Sequence, residues 1–332
     1  MTTPATPRTV WSGLHDRLAA VRLALVARRQ QAIDAVVYVV ARLLLVFLQL
    51  CSLETGRSIA HVVAWLAHDL VKLRRRTVEE NLQAVFPELT APERHRLGRE
   101  MWEHLILMIC EIAHTARRLH DTNWRDYVRL EHKRQIVQYM LGERPLVIVS
   151  GHFGNFELGC TMIGLLGFPI YAIARPLDNP FLDRFLRRNR EANGQFILNK
   201  DGSATQVAAL LETGSKLALL GDQHAGTKGC WVDFLGRPAS CHKAVALFTL
   251  KSDAPMLVLS CTRESGPLQY RVTLEGLADP LELTDDQASV TGLTRWYNHC
   301  LERAIRRAPE QYWWLHRRWR DQPGTSRTAR AA

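Results

Sequence analysis

Apolar residues are arranged along this 332-residue chain in two textures. From Thr55 to about Tyr139 they recur at the three-to-four-residue spacing of helices with one buried face, and no run there alternates convincingly as a strand. From Pro145 onward, short apolar runs are separated by glycines and amphipathic stretches. This pattern predicts strands at Leu146–Ser150, Ile170–Ala174, Phe196–Leu198, Leu217–Leu220, Met256–Cys261 and Tyr270–Leu274. Helical runs fall between them at Phe156–Leu166, Phe181–Asn193, Ala204–Thr213 and Ala244–Lys251. Such alternation predicts an α/β fold, with a central mostly parallel or mixed sheet covered by helices. Ligands in these folds bind beyond the carboxyl ends of the strands.

One apolar run is longer than the rest. Ala35–Leu53 (AVVYVVARLLLVFLQLCSL) would extend about 28 Å as a helix, close to the thickness of a bilayer's hydrocarbon core. Arg42 lies near its middle and must snorkel or find a partner. Arg17, Arg22, Arg28 and Arg29 precede the run and favour a cytoplasmic or anionic-headgroup flank. No small-residue cleavage site follows it, which argues against a removable signal peptide. The expectation is a membrane-anchoring helix, spanning or deeply interfacial, with a buried core helix as the alternative.

The chain then divides into a basic, partly disordered N-terminus (1–34), the anchor (35–53), a helical segment packed on the core (54–140), the α/β core (141–320) and a basic disordered tail (321–332). Within the helical segment, Thr77 is the expected cap of a helix from Val78, with Glu80 closing a capping box. Ala91–Leu119 reads as one long helix with Pro92 in its first turn. It contains Glu111-x-x-His114, the spacing of carboxylate-bridged di-iron sites. Such a site needs a second copy, which the sequence lacks, so the pair is read as polar contacts within a helical layer.

Composition narrows the partners. Hydrophobic residues make up 47% of the chain, enough for a large core and incompatible with global disorder. The 43 Lys and Arg against 33 Asp and Glu leave a formal charge of +10. That favours an anionic partner: a membrane surface, an acidic carrier protein or nucleic acid. Seven cysteines are spread without any C-x-x-C, so neither a zinc site nor a disulfide framework is expected.

The densest candidate chemistry lies in GHFGNFELG, Gly151–Gly159. His152 and Glu157, five positions apart, would not share a helical face, but Gly151, Gly154 and Asn155 permit a turn between them. An imidazole and a carboxylate after a strand suit a general base and the acid that orients it; a buried histidine satisfied by a neighbour is the plain alternative. Arg175 follows a strand and precedes Pro176, placing its guanidinium to bind a phosphate or to form a surface ion pair. Asp222 and Gln223 end another strand, placed either to bind substrate, as candidate residues with Asn155, or to brace the loop that carries His152; nearby Lys228 reads as a solvated charge. Trp231, Phe234 and Leu235 are candidates to line an apolar groove, an acyl groove if the resemblance given below holds, or simply to fill core. The cluster Tyr312, Trp313, Trp314, His316, Arg317, Arg318, Trp319 and Arg320 mixes rings with cations. That mixture suits a membrane interface or, less well without a nucleic-acid-binding motif, stacked bases.

The GHFGNFE segment resembles the first block of the lipid A biosynthesis acyltransferases, within the lysophospholipid acyltransferase superfamily. Four other stretches resemble the family in the right order: NLQAVFPEL (Asn81–Leu89), ARPLDNP (Ala174–Pro180), GDQHAG with WVDFLGRPAS (Gly221–Ser240), and EQYWWLHRRWR (Glu310–Arg320). Phe156 stands where the family commonly has Trp. Cys241, His242 and Lys243 replace its usual small residues and glycine, a change that bears on chain-length preference.

The resemblance implies a bacterial inner-membrane enzyme whose catalytic domain faces the cytoplasm. It would move an acyl chain from acyl carrier protein to a hydroxyl of a phosphorylated lipid A precursor, with His152 as base, Glu157 orienting it and Arg175 meeting phosphate. No cofactor, metal or nucleic acid is implied. The sequence has no G-x-S-x-G nucleophile elbow, which favours direct transfer over an acyl-enzyme. Other readings are an acyltransferase acting on a different glycolipid or aminolipid, a lipid hydrolase using the same His–Glu pair, and a non-catalytic lipid- or nucleic-acid-binding protein.

Overall fold

The computed structural model describes residues 10–200 and 202–320, with side chains from Arg22 onward. Residues 1–9 of the N-terminal segment expected to be partly disordered, and the whole of the expected tail, 321–332, lie outside the described residues. The helical texture yields α1 (Val10–Leu50), α2 (Leu53–Trp65), a π-helical turn (Leu66–Leu70), α3 (Arg75–Val85) and α4 (Ala91–Arg118). The core then runs β1 (Val128–Leu130), α5 (Lys133–Leu141), β2 (Leu146–Ser150), α6 (Phe156–Leu165), β3 (Ile170–Ala174), α7 (Pro180–Ala192), β4 (Gln195–Asn199), α8 (Ser203–Glu212) and β5 (Lys216–Leu220). A hairpin of β6 (Cys230–Phe234) and β7 (Arg237–Cys241) follows, then α9 (Lys243–Lys251), β8 (Met256–Arg263), β9 (Tyr270–Ala278) and α10 (Val290–Arg307).

Seven strands form one sheet in the order β1-β9-β8-β2-β5-β3-β4, while β6 and β7 pair separately. All pairings in the sheet are parallel except β8 with β9. Side chains on β2 alternate between two helical layers, as strand geometry requires. Val147 and Val149 pack with α9, α10 and residues of α3 and α4. Leu146 and Ile148 pack with Ile136 and Met140 of α5 and Ile163 of α6. This is the expected mixed sheet covered by helices.

Several expectations shift. The anchor run belongs to a longer helix reaching back to Val10. It stops at Leu50, and Ser52 caps α2 by accepting from Thr55 N. Thr77 is no cap: α3 begins at Arg75, after Arg74 in a left-handed conformation. At α4 the box is built by Thr90 and Glu93, whose carboxylate accepts from Thr90 N at 2.7 Å, with Pro92 in the first turn.

Strands β1, β6 and β7 and helix α10 have weak sequence signals. β1 is too short to show a period, and β7 carries Pro238, a residue tolerated only at strand edges or bulges. On α10, Thr294 and Asn298 sit among the buried residues and dilute its apolar stripe.

Helix α1 is held along its C-terminal half. Leu45 and Leu48 pack against Leu107, Cys110 and Ala113 of α4. Asn179, capping α7, donates to Asp34 O at 2.9 Å. Arg42 finds its partner in protein: the guanidinium lies 4.5 Å from the Phe185 ring centroid and donates to Tyr38 Oη at 3.1 Å. The other faces, with Val36, Val40, Leu43, Leu44, Phe47 and Leu50, are exposed. Arg22–Leu50 is long and apolar enough to cross a bilayer by length and composition.

The Glu111/His114 pair serves the fold. Glu111 is wholly buried; it accepts from Arg263 Nε at 2.9 Å, Leu268 N at 2.8 Å, Arg263 Nη2 and Tyr270 Oη. Arg263 also donates to His104 Nδ1 at 2.7 Å, leaving His104 Nε2 to donate to Gly154 O at 3.2 Å. Burial, then the charge of Arg263, lowers the His104 imidazole to about 3, so the ring is neutral. His114 instead bridges Cys110 O and Cys51 O.

Removing one partner of a buried, fully bonded ion pair strands the other. Glu111→Ala should therefore destabilise the fold by about 3–5 kcal/mol. Thermal melting of the detergent-solubilised protein checks this, and a loss under about 1 kcal/mol would show that Arg263 finds other partners.

Candidate active site

Strands β2 and β5 run parallel and in register, pairing Ser150 with Leu220, and Gly221 N extends the ladder to Ser150 O at 2.8 Å. Two residues past each strand end stand His152 and Asp222. The register alone brings them level. Asp222 Oδ2 accepts from His152 N at 2.8 Å, and Asp222 Oδ1 lies 2.8 Å from His152 Nδ1. With Nδ1 carrying the proton to the carboxylate, His152 Nε2 is left as a base.

Asp222 is fully buried, and burial raises its carboxyl. The neighbouring His152, by charge and hydrogen bonds, outweighs that and holds it at about 2, so Asp222 is ionised. Gly151 permits the close approach: a Cβ there would come within 3.2 Å of Asp222 Oδ2. Gly154 turns the chain with φ +59°, where a Cβ would fall 2.0 Å from Cys261 O.

The imidazole sits among rings. Phe156, Trp313 and His316 have centroids 5.2, 5.0 and 4.8 Å from that of His152. Trp313 N donates to His152 O at 3.1 Å, and Gly154 N to Gln311 O at 3.0 Å, stitching the C-terminal segment to the His152 turn. Gln223 Nε2 lies 3.2 Å from His152 Nε2 and reaches solvent, marking the open side. Trp313 Nε1 and His316 Nδ1 are buried without a hydrogen-bond partner among the described residues. Two polar atoms beside the base are thus uncommitted.

Glu157 does not meet His152. Its carboxylate receives Arg190 through Nε at 3.2 Å and through Nη2, tying α6 to α7. Helix α6 starts at Phe156, so Glu157 is carried away on its first turn; the orienting acid in this geometry is Asp222. Asn155 is wholly buried; it caps α6 by accepting from Leu158 N at 2.9 Å and donates to Tyr270 Oη at 3.2 Å, and so shapes the turn.

Arg175 lies at the same sheet edge as His152 but points to solvent, paired with exposed Asp178 at 3.1 Å. Phe234 and Leu235 are buried in the main core. Trp231 is half-buried, its Nε1 donating to Thr227 O, and Lys228 is exposed. In the C-terminal cluster Tyr312, Trp314, Arg318 and Trp319 are buried, which overturns their reading as a membrane-interface belt. Arg318 instead donates to Ser240 O at 2.7 Å.

An apolar cavity of ≈ 70 Å³ begins at Phe156 and Ser150 and runs between α5, α6 and the sheet, lined by Met140, Cys160, Ile163 and Leu259 among others. Trp231, Phe234 and Leu235 are not part of its lining. Among the described residues, His152, Asp222 and His316 also form a group whose nitrogen and oxygen ligand atoms lie within 4.8 Å of one another. The Nδ1 of His152 and both Asp222 oxygens are already joined by hydrogen bonds, the pattern of an acid–base pair.

The arrangement places a hydrogen-bonded imidazole–carboxylate pair, chemically able to transfer a proton, beside an apolar cavity. Residues 27–321 match the family described as "Bacterial lipid A biosynthesis acyltransferase", and the chain belongs to that family. It is 25% identical over 260 residues to the lipid A biosynthesis palmitoleoyltransferase of Escherichia coli (strain K12), covering 78% of this chain and 82% of that protein. It is 26% identical over 266 residues to the lipid A biosynthesis lauroyltransferase of the same organism, covering 78% and 83%. Among solved structures, the 1-acyl-sn-glycerophosphate (LPA) acyltransferase PlsC from Thermotoga maritima overlaps with a TM-score of 0.37 at 11% identity, covering 79% of this chain and 100% of that one.

Sequence reasoning named His152, Asp222 and Gln223 but did not pair the first two, and it placed His316 at a membrane surface. The signal for the pairing was the equal Gly-x offset of His152 and Asp222 from their strand ends. Nothing local marks His316.

Burial, then the adjacent His152, lowers the His316 imidazole to about 4. In the unfolded chain it titrates near ~6.5. As pH falls from about 6.5 to 4, the unfolded chain binds a proton that the folded one refuses, so stability drops by roughly 2–3 kcal/mol through this residue. His316→Gln should flatten that part of the profile and leave the neutral-pH dependence unchanged. Melting curves across the window check this, and parallel slopes in the two proteins would refute it.

Proposed function

We propose that this protein transfers a fatty acyl chain from an acyl-carrier-protein thioester to a hydroxyl of a phosphorylated lipid A precursor. The observation that carries the mechanism is the His152–Asp222 pair, whose tautomer leaves Nε2 facing the open side. The acceptor hydroxyl takes the place of the Gln223 amide at His152 Nε2. As its oxygen attacks the thioester carbonyl carbon, the new C–O bond forms and the proton passes to Nε2. Asp222 stabilises the resulting imidazolium. The C–S bond then breaks, and the thiolate collects the proton from His152, leaving ester and free carrier thiol.

The uncommitted Trp313 Nε1–H is available to the carbonyl oxygen as charge develops on it. The acyl chain enters the cavity beside Phe156. Arg175, exposed at the sheet edge, is free to exchange Asp178 for a phosphate or the acidic carrier. Helix α1 seats its exposed apolar faces in the inner membrane, with the site on the cytoplasmic side.

The direct test supplies purified protein with radiolabelled acyl-carrier donor and phosphorylated disaccharide lipid acceptor. An acylated acceptor is the expected product; free fatty acid alone would indicate a hydrolase.

His152→Ala and Asp222→Asn should each lower turnover by roughly 10²–10⁴-fold with folding intact, the second by losing the tautomer. Near-normal turnover of Asp222→Asn would remove its orienting role. Glu157→Gln and Arg190→Gln, acting on one ion pair, should show equal effects, and the double variant no more than either. A large effect of Glu157→Gln with none from Arg190→Gln would instead place Glu157 at the chemistry.

A further inference from the structure

A second concavity, of ≈ 570 Å³, adjoins the C-terminal segment at Arg317, Trp319 and Arg320. Arg76, Thr77, Glu80 and Asn81 of α3 line one wall; Arg237 of β7 with Arg317, Trp319 and Arg320 line the other. Arg76 is matched by Glu80, its Nε 2.7 Å from Oε1. The other three arginines make no ion pair among the described residues. Arg237 is fixed over the buried Trp319 ring, its guanidinium carbon 5.3 Å from the centroid, while Arg317 and Arg320 are exposed. Three unmatched guanidiniums around one hollow favour an anion, and their planar forks suit phosphate oxygens. The volume fits a small ligand group, within the range of ordinary ligand pockets and concave where a protein partner's surface would be convex and broad.

The pocket is mechanically joined to the active site. Asn81, on its wall, donates from Nδ2 to Trp314 O at 2.7 Å and to His316 O at 2.8 Å. Arg317 therefore faces the pocket from the residue after His316, whose ring meets His152. Just upstream of α3, Leu70, Val71 and Leu73 are exposed apolar side chains, followed by the basic run Arg74–Arg76. Greasy residues leading into a cationic hollow fit a lipid whose polar end is phosphorylated.

We propose that this pocket binds the phosphorylated sugar headgroup of the acceptor lipid. The assignment rests on the reading of the protein as an acyltransferase of such an acceptor. Phosphate is the shared chemistry of three sources, namely a sugar-phosphate headgroup, bulk anionic phospholipid and free inorganic phosphate, and the test separates them.

Calorimetric titration of the detergent-solubilised full chain would use glucose 1-phosphate, inorganic phosphate and glucose, with competition by phosphatidylglycerol vesicles. The expected result is that glucose 1-phosphate binds more tightly than inorganic phosphate, and glucose not at all. Arg237→Gln/Arg317→Gln should weaken that binding at least about tenfold, with Arg237→Lys/Arg317→Lys restoring part of it and both variants melting like wild type. In turnover assays the Gln variant should raise KM for the phosphorylated acceptor and leave kcat and the donor KM unchanged.

Sugar-phosphate binding that depends on the arginines in a protein without acyl transfer would uphold the pocket and refute the catalytic reading. Inorganic phosphate binding equally well, vesicles displacing the sugar phosphate, or binding indifferent to the substitutions would each overturn the headgroup assignment.

Discussion

A carboxylate shut away from water must have its oxygens satisfied by protein donors, and Asp222 satisfies them with a single residue. One oxygen holds the backbone of His152 and the other its ring. The imidazole is thereby fixed in position, in orientation and in tautomer by the same group. This arrangement needs two strands that are parallel, adjacent and level, because only then do equivalent positions beyond their ends face each other. It also needs Gly151 to lack a side chain where the carboxylate passes. The sheet's register is thus part of the chemistry.

Behind that pair lies a second polar layer. Glu111 and Arg263 join the long helix α4 to β8, while His104 and Tyr270 carry the network to Gly154 O and Asn155. The turn bearing His152 is held from below by this cluster and from the side by Gln311, whose side chain also bonds the backbone of Arg263 at both N and O. Buried networks of this kind specify one geometry when every member is satisfied. The helical segment preceding the sheet is therefore a bearing surface for the site, well beyond a cover over its apolar face.

Much of this was legible in the residues. The six central strands were placed because each is a short apolar run between glycines or helices, and the strand ends located both GHF and GDQ. The partner of His152 was not legible from spacing, since Glu157 is near it in sequence and Asp222 is near it only through strand pairing. The C-terminal cluster misled for a related reason. Rings beside arginines describe a lipid interface equally well as a buried strap in which Arg318 donates to Ser240 O and Trp319 stacks on Phe234. Composition cannot tell these apart, because burial is decided by what the rest of the chain brings to the same place. The apolar cavity was missed since its lining comes from six separate elements.

The clasp of Arg42 between Tyr38 and Phe185, together with the Asn179 bond to Asp34, has a consequence for motion. A helix joined to its domain by a loose linker would let the catalytic mouth swing through many headings. Here the exposed stripe of α1 is tied by contacts to the domain that carries the mouth beside Gln223, so whatever surface receives the stripe also sets the bearing of the mouth. Substrates must then approach along a fixed line of arrival, and the search for them is narrowed from a volume to a plane.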